Sequence, residues 1–241
     1  MLHKTRGIVF KTTNYSESSV IVQVFTEKFG IQSYLVNGVK KPKAKISQNI
    51  LQPLHLLEMV VYHKPNGSIQ RIAEARQVPA FQTIPYDVIK SSVAIFINEV
   101  LYRAIRIESS DEVLFNYIFS SIELLDRTEV GLANFHLFFL LRLTQFLGFY
   151  PERSNAVSFD YFDLKNGAFT FTDPGHTQIL RQPHTAYWAA LLSTNFTDLG
   201  AFKINQDSRK IMLAKLLEYY KLHIDSFGDI RSLSVLEEVL S

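Results

Sequence analysis

The chain has 241 residues, 47% of them hydrophobic and 20% charged, a composition that builds a core and excludes a disordered polymer. It contains no cysteine, which excludes a disulfide framework, a thiolate metal site and a cysteine nucleophile. The formal net charge is only +2, but it is unevenly spread. Residues 1–80 hold eleven Lys/Arg against four acids, a balance of +7, and the remainder carries −5. Such asymmetry points to an anionic partner for the first part.

In chain order, the first eighty residues have a period of two. "GIVFKTT", "SSVIVQVFT", "IQSYLVN", "PLHLLEMVVYH" and "SIQRIAEARQV" read as strands. Turn signals separate them at Asn14, Phe29-Gly30, Asn37-Gly38 and the "KPNG" of 64–67. Five short strands without an intervening helix predict a small barrel. An OB-type barrel fits best, and an SH3-like barrel shares the pattern.

Between the third and fourth strands lies "LVNGVKKPKAKI", with Lys40, Lys41, Lys43 and Lys45 in six positions. No acid occurs from Lys28 to Leu57. Like charges this close repel unless an anion lies among them, and phosphate is the anion that rewards them by releasing counterions. With Lys11, Arg71 and Arg76 on the strands, the loop predicts a nucleic-acid groove. Tyr15, Tyr34 and Tyr62 are candidates for stacking on bases. The bland alternatives are a solvated basic loop and half-buried strand tyrosines.

After Pro79 the period becomes helical. Ile89, Val93, Phe96, Ile97, Val100, Leu101 and Ala104 form one stripe, and "SSDEVLFNYIFSSIELLDR" forms a second helix with capping residues at its start. A third helix, about Leu132 to Leu147, is apolar nearly all round and stops at Gly148. "FDYFDLKNGAFTFT" reads as a hairpin around Asn166-Gly167. Helices resume at Ala186 and end with "SLSVLEEVL". The expected division is therefore a barrel over 1–79 and an all-α domain over 80–241, interrupted by a hairpin region at 150–183.

The sequence carries no Gly-rich phosphate loop or nucleophile elbow, and its seven histidines form no HxxxH or HxH pair. Asp173, His176 and His184 are close in sequence, but proximity alone is a weak case for a metal, and polar loop residues explain them. Glu237 and Glu238 are adjacent on a helix and point about 100° apart, which suits a solvated face better than paired catalysis. His136 reads as a core histidine. We expect no catalysis, no metal and no cofactor. With no signal peptide at Met1 and no apolar run of bilayer length, the expected compartment is the cytoplasm.

The stretch from Tyr15 to Met59 resembles the N-terminal signature of the bacterial RecO recombination mediators. The matching features are Tyr15, Glu17 and Ser19, then Phe25-Thr26, Gly30, Gly38 before basic residues, and Leu51-Gln52-Pro53. "NEVLYRAI" at 98–105 is similar to the family's first long helix, and "NFHLFFLLRLTQFLGFYP" to its buried helix and exit. The resemblance implies an OB-fold followed by a helical domain. It further implies binding of single- and double-stranded DNA, strand annealing, and work with RecR to load RecA onto strands coated by single-strand-binding protein. That coating protein's C-terminal tail would dock on the helical domain, for which Arg103, Arg106, Leu137 and Arg142 are the candidates here. A protein-interaction scaffold, its basic barrel holding an acidic protein, is the alternative. Two departures stand out. The four zinc-binding cysteines of many members are absent, leaving Phe159, Tyr161, Phe169 and Phe171 to hold the hairpin. Ala133 and Asn134 occupy positions where some members carry arginine.

Overall fold

The computed structural model describes residues 1–65, 67–106, 108–152 and 159–240. Asn66 of the expected 64–67 turn and residues 153–158 of the expected 150–183 region lie outside them. Five strands close a barrel: β1 (Leu2–Asn14), β2 (Val20–Thr26), β3 (Gly30–Val36), β4 (Leu56–Tyr62) and β5 (Gln70–Gln77). Their order is β1-β2-β3-β5-β4, antiparallel except where β3 meets β5. This closed, five-stranded arrangement is OB-like, as the strand pattern favoured.

β1 starts five residues earlier than its alternation suggests, because it serves two neighbours. Leu2 to Ile8 pair with β4, Gly7 to Asn14 pair with β2, and the register shifts between Val9 and Lys11. At the crossover a Cβ on Gly7 would stand 2.5 Å from Met59 Cε and 2.6 Å from Val24 Cγ1. Only glycine lets the two sheet halves approach that closely there. The inward residues of β2 are Val20, Val22 and Val24, as the period-two pattern requires, and they meet Tyr34, Leu57 and Val61 in the barrel core.

The chain divides into two compact units. The first comprises 1–87 and 94–127, which joins the barrel to most of α1 (Val88–Ala104) and to α2 (Glu112–Arg127). Phe10, Phe25 and Phe115 run in ring contact from barrel to α2, with centroids 5.9 and 5.7 Å apart. Arg6 leaves β1 to donate to Glu27 and to Asn116 of α2, both at 2.6 Å, with its guanidinium over the rings of Phe115 and Phe119. Asp126, near the end of α2, accepts from the backbone N–H of Gln82, Thr83 and Ile84 at 2.8–2.9 Å. Burial opposes its charge, but these three donors overcome that and hold its carboxyl below the usual aspartate range.

The second unit comprises 88–93 and 128–241. It contains α3 (Leu132–Leu147), α4 (His184–Ser193), α5 (Gln206–His223), α6 (Leu233–Val239) and a small sheet. α3 is buried along almost its whole length and ends at Gly148, whose left-handed φ of 87° lets its N–H reach Thr144. Within α3, burial and the charge of Arg209 push the pKa of His136 down to about 3, so it is a neutral core residue. The sheet has three strands rather than a hairpin's two: β6 (Tyr161–Asp163), β7 (Ala168–Thr170) and β8 (Ile179–Arg181), in the order β7-β6-β8. Its hydrophobic centre also departs from expectation. Phe159 meets Phe169 and Phe171 at 5.0 and 4.9 Å as expected, but Phe162, not Tyr161, is buried, tilted against Phe169 at 4.8 Å and stacked on Trp188 at 4.9 Å. Tyr161 lies instead under the guanidinium of Arg181. No helix among the described residues is long and apolar enough to cross a membrane.

Candidate nucleic-acid interface

The lysine loop has a defined shape because its ends are anchored. Val39 and Ile46 are buried in the barrel core, and the lysines between them are all exposed. Two successive turns, Lys41 N–H to Gly38 and Ala44 N–H to Lys41, bend the segment, with Gly38 in the left-handed region at φ 71°. Among the described residues Lys40, Lys41 and Lys43 carry no ion pair. Lys45 stands 3.5 Å from Glu74 of β5, both side chains about two-thirds exposed, so water and salt screen that pair heavily. The β1–β2 loop lies against the same place. Val39 N–H donates to Ser18, Ser19 hydroxyl donates to Asn37, and Tyr15 is 63% exposed.

Strand registers build a surface beside this loop. Leu2 lies opposite Tyr62, Tyr62 opposite Arg71, Arg71 opposite Leu35, and Leu35 opposite Ile21. The flanking positions Val61, Tyr34, Val36, Val20 and Val22 are buried, so the five named residues share the outer face. At about 4.8 Å per strand the row runs roughly 19 Å round the barrel. It combines a half-exposed ring, an arginine without an ion pair among the described residues, and aliphatic neighbours. These are the elements that stack bases while cations hold the phosphates.

Of the residues expected here, Lys40, Lys41, Lys43, Lys45 and Arg71 gather around the β3–β5 edge of this surface. Lys11 lies further round β1, over the ring of Tyr102 at 5.1 Å. Tyr34 is a correction: it is fully buried, because it shares β3's inward parity with Val36. Burial drives its hydroxyl well above the ordinary tyrosine range, and no face of the ring is open to a base. Arg76 is exposed and bound to Glu58 at 2.5 and 3.0 Å across β4–β5. It belongs to a groove of about 610 Å3 on β1, β4 and β5 where Arg6 is likewise matched by Glu27. Leu35 and Ile21 escaped the sequence reading. The alternation of β2 alone marks Ile21 as outward, but Leu35 needs the register.

The residues expected to meet a protein tail are differently engaged. In the first unit Arg103 pairs with Glu99 at 3.2 Å and Arg106 is exposed. In the second, Leu137 is completely buried, a correction that follows from α3 being apolar on every side. Arg142 donates to the carbonyls of Leu192 and Thr194 at 3.4 and 3.0 Å and to Tyr150 at 3.3 Å. It therefore satisfies the open C-terminus of α4. Asn134 is buried, donating to Phe202 and accepting from Arg209. Among the former metal candidates, Asp173 pairs with Arg181 at 2.9 Å, and His176 lies 3.3 Å from Asp163.

A family model described as "Recombination protein O N terminal" matches residues 1–81, and one described as "Recombination protein O C terminal" matches 85–233. The chain is 40% identical over 240 residues to the DNA repair protein RecO of Bacteroides fragilis, with 99% of each chain covered. It is 39% identical over 239 residues to that of Azobacteroides pseudotrichonymphae, again over 99% of each. Against that of Phocaeicola vulgatus it is 36% identical over 241 residues, the whole of both. With both halves of the family pattern in order and full-length relatives at this identity, the chain belongs to the RecO family.

Proposed function

We propose that this protein is a DNA-binding mediator of recombinational repair that works by holding strands, without enzymatic turnover. Single-stranded DNA lies on the outer face of the barrel, its phosphates on Lys40, Lys41, Lys43 and Lys45 and its bases over Tyr62, Arg71 and Leu35. Double-stranded DNA uses the lysines alone. Holding two complementary strands with their bases exposed favours annealing. With RecR, the same hold assists loading of RecA onto strands coated by single-strand-binding protein, whose tail meets the helical part. Residues 1–79 are then the nucleic-acid half and 80–241 the protein-partner half, a division by charge in a cytoplasmic protein. The names of the full-length relatives support the repair role.

The observation that carries the reading is the lysine loop: three cations that, like the neighbouring Arg71, have no ion pair among the described residues, on a pinned backbone beside an outward ring. The competing reading is an acidic protein on the same cations. The Arg6–Glu27 and Arg76–Glu58 pairs of the β1–β4–β5 groove favour a protein partner for that face but not for the loop. A salt titration separates the two. Single-strand binding weakens linearly in log–log form by about 0.7 per phosphate contact. Changing the four lysines to Ala should flatten the slope by roughly 2 to 3, with Lys45 counting least because Glu74 competes for it. A folded quadruple variant with unchanged affinity and slope would return the loop to solvent.

A further inference from the structure

One cavity on the barrel is not used by this account. It holds about 440 Å3, a size suited to a small ligand. Its floor is the outer face of β2 and β3, where Gln23 lies opposite Ser33. One wall is aromatic: the ring of His63 stacks on Phe29 at 3.9 Å and 13°. Burial lowers the pKa of His63, which favours the neutral form of that ring. The 108–110 segment between α1 and α2 also lines it, bringing Glu108, as do Lys28, Gln32 and Ser68. Neither Glu108 nor Lys28 has an ion pair among the described residues.

Position matters as much as lining. The Gln23–Ser33 pair is two residues along from Ile21–Leu35, one outward step of roughly 7 Å. A strand lying on the Tyr62–Arg71–Leu35 row therefore passes the cavity mouth. Glu108 repels a phosphate from the interior, and Lys28 attracts one. What the lining accepts is a flat, uncharged ring with an exocyclic amino group on its edge. A carboxylate accepts from the exocyclic amino group of cytosine, and adenine and guanine carry the same kind of donor. Thymine presents a carbonyl oxygen instead.

We propose that this cavity takes one unstacked, amino-bearing base (cytosine, adenine or guanine, but not thymine) from a single strand on the row, with Glu108 accepting its amino hydrogen. The site gives a sequence-tolerant surface a local base preference. It rests on the nucleic-acid reading above and adds a substrate class to it.

The test measures fluorescence anisotropy of labelled oligodeoxycytidine and oligodeoxythymidine of equal length, at mildly alkaline pH where cytosine stays unprotonated. The wild-type protein should hold the cytidine strand about fivefold more tightly, the low end of discrimination by one base contact. Glu108→Ala should bring the two affinities together without weakening thymidine binding. Glu108→Gln, which keeps one acceptor oxygen, should retain part of the preference. Thermal unfolding of both variants should match the wild type, since Glu108 is exposed. Equal wild-type affinities for the two strands, or a preference that survives Glu108→Ala, would overturn the cavity's role and leave strand binding standing. Failure of the wild type to bind either strand would overturn both.

Discussion

Replacing Tyr62 by alanine separates stacking from charge. The side chain is 49% exposed, so the barrel occupies about half of its surface and a base has the other half. Stacking of a base on an aromatic ring is worth about 1–3 kcal/mol. With one face available the lower part of that range applies, about 1–1.5 kcal/mol, or a five- to tenfold loss of single-strand affinity. Duplex bases are already stacked on one another, so duplex affinity should change by less than about twofold. Tyr62→Phe keeps the ring and should behave as wild type. Anisotropy titrations of a thymidine strand and a blunt duplex, at one salt concentration, read all three variants. The alanine change removes cross-strand contacts with Leu2 and Arg71, costing at most about 2 kcal/mol of stability, which a melting curve monitors. Equal weakening of single strand and duplex, or a loss in Tyr62→Phe as large as in Tyr62→Ala, would refute stacking at this position.

Two further substitutions test the frame around the interface. Asp126→Ala leaves the N–H groups of Gln82, Thr83 and Ile84 without their acceptor and should cost about 2–4 kcal/mol in chemical denaturation, because Ile84 is buried while Gln82 can turn to water. The folded carboxyl titrates below its unfolded value, so its contribution is present above the ordinary aspartate range and is lost as pH falls through the folded pKa. The gap between wild type and variant should therefore close below about pH 4, and a gap that widens there would contradict the assignment. Arg142→Ala uncovers the carbonyls that end α4 and should lower stability by about 1–3 kcal/mol while leaving the DNA salt slope untouched. Unchanged stability, together with weakened binding of a single-strand-binding-protein tail peptide, would make Arg142 a partner contact instead.

Alternation was enough to find all five barrel strands, since along most of them buried positions alternate with more accessible ones. It failed at the start of β1, where "LHKTR" is too polar to stand out and pairing with β4 alone makes it a strand. It failed again at β8, three residues with no period of their own. The loop lysines were legible because exposure is the default for lysine and only a nearby acid changes its meaning. Arg76 was not, because Glu58 is eighteen positions away and meets it only through the β4–β5 register. Tyr34 and Leu137 share a different difficulty. In "IQSYLV" both parities contain apolar residues, and α3 has no polar side, so neither segment declares which way it faces.

The barrel closes along a very short seam. Among the described residues β3 and β5 pair at Tyr34–Gln70 and Leu35–Arg71, whereas β2 and β3 pair along their whole length. The outward half of that seam, Leu35 and Arg71, lies within the surface assigned to the strand. A strand bound there as proposed would act as a splint across this short joint. Closure and capture would then be linked equilibria: ligand that binds only the closed cylinder would tighten it, and an opened seam would release it. Such a hold can be firm while the joint is shut and still let go by local opening, with the rest of the fold intact.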